Sequence, residues 1–172
     1  LDGELHYSVP FTMLGGEQKF GVDAFWNHKF KQQRTPYPGG DIQNELGQAD
    51  CYSCGRLGSG FRDRVDATFS LSSTRYRFSW NVSYMSGLSD NLDGSTATVT
   101  RIPAYWYHNA QLRFNAGESK RYEFYIGMNN VFDKKPPVFG DTNPVAWPGA
   151  STVASTYDVF GRMLYAGVTF KY

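Results

Sequence analysis

Cysteine is scarce in this chain, charge is nearly balanced and long apolar runs are missing. The 172 residues include two cysteines and carry 17 basic against 16 acidic side chains, a formal charge of +1. The basic residues are scattered along the sequence, so the basic footprint of a nucleic-acid binder is missing. A membrane-spanning helix needs about 18 to 20 consecutive apolar residues, and the apolar stretches here are only a few residues long. No segment keeps a helical period over three turns. Catalytic signatures fail as well. There is no nucleophile elbow, and Gly55-Arg56-Leu57-Gly58-Ser59-Gly60 is neither a P-loop nor a dinucleotide fingerprint. No composition break divides the chain, so a single unit is expected, with no enzymatic site and no cofactor.

Aromatic residues are abundant: 13 Phe, 12 Tyr and 4 Trp, placed mostly in alternating patterns or beside turns. Seven segments alternate with the period of a strand. Leu5, Tyr7, Val9 and Phe11 share a face, as do Phe20, Val22, Ala24, Trp26, His28 and Phe30. The third segment sets Val65, Ala67, Phe69 and Leu71 opposite Arg64, Asp66, Thr68 and Ser70. The fourth sets Tyr76, Phe78, Trp80, Val82 and Tyr84 against Arg77, Ser79, Asn81 and Ser83. Trp106 to Phe114 and Tyr122 to Met128 follow, and a last strand is expected from about Val159. In the final octet Ala166, Val168, Phe170 and Tyr172 alternate with Tyr165, Gly167, Thr169 and Lys171. This is the pattern of a wall between lipid and an aqueous lumen, in which every second side chain meets hydrocarbon.

The connections alternate in length. Those near Gly15-Gly16, Ser73 to Arg75 and Gly117 to Arg121 are short. Those from about Gln32 to Gly60, Gly87 to Arg101 and Asp133 to Tyr157 are long. In an up-and-down meander every second connection lies at the same end, which gives one rim of short turns and one of long loops, as in outer-membrane barrels. The expected fold is therefore all-β, an antiparallel up-and-down transmembrane β-barrel. Seven strands do not complete one, because single-chain bacterial barrels have even strand numbers and an open edge in hydrocarbon leaves backbone groups unpaired. The chain is expected to be a fragment or one chain of a split barrel, and any export signal is expected upstream of Leu1 or already removed.

Tyr122-Glu123-Phe124-Tyr125-Ile126-Gly127-Met128 followed by Asn129-Asn130-Val131-Phe132-Asp133-Lys134-Lys135-Pro136 resembles the penultimate strand and following loop of TonB-dependent outer-membrane receptors. Ile102-Pro103-Ala104-Tyr105-Trp106-Tyr107-His108 is similar to that family's segment entering the strand before it, and Tyr157-Asp158-Val159-Phe160-Gly161-Arg162 to the entry of its final strand. Tyr165, Gly167, Phe170 and Tyr172 resemble the terminal signal read by the barrel-assembly machinery. The resemblance implies a barrel of about 22 strands around an N-terminal plug, of which residues 1–172 would supply the last seven strands. It also implies a bacterial outer-membrane location and import of a scarce or large nutrient (siderophore, glycan, peptide or vitamin). Its partners would be the remaining strands and plug, the energy-transducing TonB complex, the barrel-assembly machinery and outer-membrane lipid, with no nucleic acid. The plug and the N-terminal box that contacts the energy transducer are not in this sequence. A passive or adhesive barrel without a plug, or an outer-membrane hydrolase, are the alternatives.

Cys51 and Cys54 could form a redox dithiol, half a zinc site or a local disulfide. With no second ligand pair and no β-α-β context, a disulfide pinning a long loop is the default in an oxidising compartment. Asp90 to Ser95 lacks the spacing of a calcium loop and reads as a polar turn. His6, His28 and His108 lack metal spacing, and the latter two fall on lipid-facing rows near the rims. Ligand contacts are expected from loops and upper lumen, with Arg34, Tyr37, Tyr52, Arg101, Tyr105, Asp141, Asn143 and Trp147 as candidates. No metal site is expected.

Overall fold

The computed structural model describes residues 1–13, 16–49, 60–89, 101–116, 121–138, 152 and 156–170. Among them there is no helix. β1 (Asp2–Met13) and β2 (Gly16–His28) form a long hairpin, and β3 (Gln33–Arg34) with β4 (Gln43–Asn44) a small one. β5 (Asp63–Ser73) and β6 (Tyr76–Met85) turn tightly through Thr74 and Arg75. The short β7 (Leu88–Ser89) and β8 (Arg101–Ile102) pair with each other before β9 (Tyr105–Ala116), β10 (Tyr122–Asn129) and β11 (Met163–Phe170).

The seven long strands make one sheet in the order β1-β2-β5-β6-β9-β10-β11, every neighbour antiparallel and next in the meander. Its register sorts side chains by chemistry. Tyr7 lies opposite Val22, Val22 opposite Phe69, Phe69 opposite Trp80, Trp80 opposite Ala110 and Ala110 opposite Met128, which faces Leu164. Rows above and below repeat the pattern, with Val9, Phe20, Leu71, Phe78, Leu112, Ile126 and Ala166 on one of them. Because side chains directly opposite in an antiparallel pair share a face, one face of the sheet is predominantly apolar. A slip of one residue in any strand would put its polar set there instead.

Buried apolar packing lies elsewhere. Phe61, Met85, Leu88, Ile102, Tyr105, Tyr107 and Tyr157 cluster with Ala49 at the end of the sheet that carries the long connections. Two of those connections are tied by backbone bonds, Ser89 N–H to the Gly47 carbonyl at 2.7 Å and Ala49 N–H to the Ser89 carbonyl at 2.9 Å.

Three boundaries differ from expectation. β2 ends at His28, so Lys29 and Phe30 lie outside it. Gly16 is already paired with Met13, which makes the first hairpin tighter than its glycines suggest. The last strand begins at Met163 rather than near Val159. Asp158 caps a turn by accepting the Phe160 N–H at 2.8 Å, and Gly161 takes a positive φ of 75°, a conformation that ends any extended run before it.

Candidate functional site

The most distinctive feature is the sheet itself, a two-faced wall. Among the described residues of the seven strands, Asp63 is the only charged side chain on the apolar face, and it sits at the long-connection end. There it accepts hydrogen bonds from Trp26 Nε1 at 3.1 Å and pairs with His28 Nδ1 at 2.6 Å, while the Phe30 ring packs edge-on to His28 at 4.5 Å. The middle of the face is mixed aliphatic and aromatic, and aromatics gather toward both ends. Tyr84 packs on Trp106 at 4.5 Å near one end, and Tyr122 on Phe170 at 5.6 Å near the other.

Size decides what this face means. Seven strands at ~4.8 Å spacing and about eight residues at ~3.3 Å rise give a face of roughly 29 by 26 Å, about 750 Å². Soluble monomers rarely show a contiguous apolar patch beyond about 300 to 600 Å². Within the described chain most of it is uncovered: Leu5, Trp106, Phe124, Ile126 and Leu164 remain exposed.

The opposite face is a hydrogen-bonded polar mosaic. His6 Nδ1 meets Asp23 Oδ1 at 2.8 Å, and Ser83 donates to Asp66. Asn109 donates to Asn81 at 3.3 Å and Asn81 to Thr68 at 3.2 Å, a ladder across three strands. Arg113 pairs with Glu123 at 2.9 Å and donates to Gln111 at 2.7 Å, and Gln111 donates to the Tyr165 hydroxyl at 3.1 Å. Phe25, Met85 and Met163 are the large apolar exceptions on this face.

At the long-connection end the Asn129 to Pro136 motif gains a physical explanation. Asn130 is buried with φ of 53°, and its side chain holds Lys134 from both sides, accepting its N–H at 2.7 Å and donating to its carbonyl at 3.0 Å. Asn109 Oδ1 accepts the Asn130 N–H, which fixes this turn to β9. Tyr105 donates to the Lys134 and Lys135 carbonyls, at 3.0 and 3.1 Å. Phe132 turns back onto the apolar face against His108 at 4.9 Å and Trp80 at 6.0 Å. Asp133 Oδ1 accepts the Arg162 N–H at 3.1 Å, and Lys135 pairs with its other oxygen at 3.1 Å. These bonds, the Lys135 one foremost, hold the Asp133 carboxyl below its usual 3.8. Burial pushes the Tyr157 hydroxyl up to about 12, and that hydroxyl has no hydrogen-bond partner among the described residues.

The candidate ligand residues that are described make separate contacts. Arg34, on β3, pairs with the buried Glu45 at 3.0 Å. Tyr37 is exposed with its ring against Gly40, and Arg101 is exposed on β8. Tyr105 is only 2% exposed and both bonds of its hydroxyl go to the 130–138 segment, so it is a packing residue in this structure. Tyr52, Asp141, Asn143, Trp147, Cys51, Cys54, Tyr172 and the Asp90–Ser95 stretch lie outside the described residues. Among the described residues no three His, Cys, Asp or Glu side chains gather as a metal site, and no helix is long and apolar enough to cross a membrane.

Of the terminal signal, Tyr165 and Gly167 share the polar face and Phe170 lies on the apolar one. Tyr165 lies across Gly127, and Tyr125 lies across Gly167, so that a Cβ on either glycine would run into the facing ring. The sequence signals Gly167, but the reciprocal partner Gly127 and the two rings emerge only from the register. No known protein family, curated protein or solved structure matches this chain.

Proposed function

We propose that residues 1–172 form the C-terminal wall of a TonB-dependent outer-membrane transporter that imports a scarce or large nutrient through a plugged barrel. The observation that carries this reading is the sorted sheet: seven strands, β1, β2, β5, β6 and β9 each long enough for a bilayer, with charge, Asp63 apart, confined to one face and hydrocarbon chemistry to the other. The likeness of Asn129 to Pro136 to the receptor family's signature supports it, and so does the confinement of all long connections to one end.

In this reading the apolar face meets lipid and the polar face lines the lumen. Seven alternating strands leave β1 and β11 running in the same direction. They cannot close on each other as an antiparallel pair, so an odd number of further strands must complete the barrel. The proposed transport cycle is capture by the long loops, a signal through the plug, and energy-driven passage along the polar wall. The site residues that choose the nutrient are expected on the long connections.

Extraction of native membranes in mild detergent, followed by intact mass measurement and gels with and without heating, tests the reading. The expected result is outer-membrane fractionation, with the remaining strands and the plug staying bound until heating. A stable, soluble 19.4 kDa species alone would overturn it. A completed membrane barrel lacking a plug would instead favour the passive or adhesive alternative.

A further inference from the structure

Lys19 on β2 faces Ser72 on β5, Ser72 faces Arg77 on β6, and Arg77 faces Arg113 on β9. Residues far apart in sequence thus form one basic row across the polar face, in the half nearer the short turns. At ~4.8 Å per strand the Lys19 and Arg77 backbones are about 10 Å apart, close enough for both side chains to reach one ligand. Arg113 has its partner in Glu123. Lys19 and Arg77 are exposed and form no ion pair among the described residues.

The nearby carboxylates do not neutralise them. Asp23 lines the same concavity, but its contact is with His6 and not with either cation, so Lys19 and Arg77 set two positive charges against its one negative charge. Glu17 shares the face two residues before Lys19, which leaves the row net positive. Arg77 lies directly opposite Arg113, whose charge Glu123 already balances, which leaves Arg77 without a counter-charge of its own among the described residues.

Small residues shape the space. Gly21 and the serines at positions 8, 70, 72 and 79 leave a concavity of about 450 Å³, within the range of ligand sites. The Ser72 and Ser70 hydroxyls make only long contacts, 3.4 and 3.5 Å, to the Lys19 and Gly21 carbonyls, so both can turn toward a ligand.

We propose that this concavity is an anion site, which takes a phosphate or carboxylate group through the Lys19 and Arg77 charges and the surrounding serine hydroxyls. The inference rests on the reading of the polar face as the lumen wall. Two sources offer that chemistry, a free anionic solute moving along the wall or an acidic side chain of the polypeptide that fills the lumen.

The complete assembly in detergent at low salt separates them. Inorganic pyrophosphate titrated calorimetrically is expected to bind at least tenfold more weakly to Lys19→Gln and Arg77→Gln than to wild type, with Lys19→Arg close to wild type. If the site is already filled by a side chain, wild type binds no pyrophosphate, and a water-soluble carbodiimide joins Lys19 to a carboxylate of the lumen-filling polypeptide, a product absent from Lys19→Gln. Equal pyrophosphate binding by wild type and both Gln variants would overturn the proposal, as would neither binding nor a Lys19 cross-link. Outer-membrane fractionation and heat-dependent gel migration of the same samples report separately on the barrel reading, so the two failures are distinguishable.

Discussion

Tyr125 and Tyr165 each lie over a glycine of the neighbouring strand, an exchange that locks β10 to β11 in one register. Gly167→Val should therefore displace the Tyr125 ring and cost about 1 to 3 kcal/mol, as overpacking does elsewhere. Adding Tyr125→Ala should recover part of that loss. Urea unfolding of the assembly, read by heat-dependent gel migration, checks both variants. The rim offers a second contrast. Asn130→Ala would leave the Lys134 N–H without its buried acceptor, the carbonyl keeping its Tyr105 donor, at about 1 to 3 kcal/mol, whereas Tyr157→Phe removes a buried hydroxyl with no partner among the described residues and should be neutral or stabilising. Asp133 adds a pH dependence. A carboxyl held below its unfolded value stabilises the fold above about pH 3.8, and that contribution is lost as pH falls through the lower folded value. Protection of the Arg162 amide against hydrogen exchange, corrected for intrinsic rate, should fall in acid in wild type and lose this acid-dependent step in Asp133→Asn.

At the scale of the element, face assignment makes neighbouring residues unequal. Trp80→Lys puts an ammonium at the middle of the apolar face and should cost about 2 to 4 kcal/mol in a bilayer, while Ser79→Lys places the same group on the polar face and should be tolerated. Yield of folded protein in the outer membrane measures the difference, and equal yields would sink the lipid-facing assignment. The strands were legible in the sequence because their period is local: each alternating segment, from Leu5–Phe11 to Tyr122–Met128, reappears as a strand with the expected face. The short pairs β3–β4 and β7–β8 were not legible, since two residues carry no period. The start of β11 was misplaced because Asp133, 29 positions earlier, receives the Arg162 N–H and holds the chain in a turn until Met163.

For the whole molecule, among the described residues the outer edges of β1 and β11 pair with no strand, and most of the apolar face is uncovered. Both conditions are costly in water and are met together by a bilayer and further strands. Refolded on its own in water, the chain should associate through these edges. Size-exclusion chromatography with light scattering should find oligomers or aggregates rather than a monomer. The sequence alone determined the all-β class, the period of each long strand and the separation of long from short connections, because these depend on neighbours a few positions away. Only the tertiary structure decided that Lys19, Arg77 and Arg113 form a row, that Tyr125 meets Gly167, and that Tyr105 is spent on holding a loop rather than offered to solvent. Those outcomes depend on register, and register is fixed by the simultaneous pairing of strands tens of residues apart.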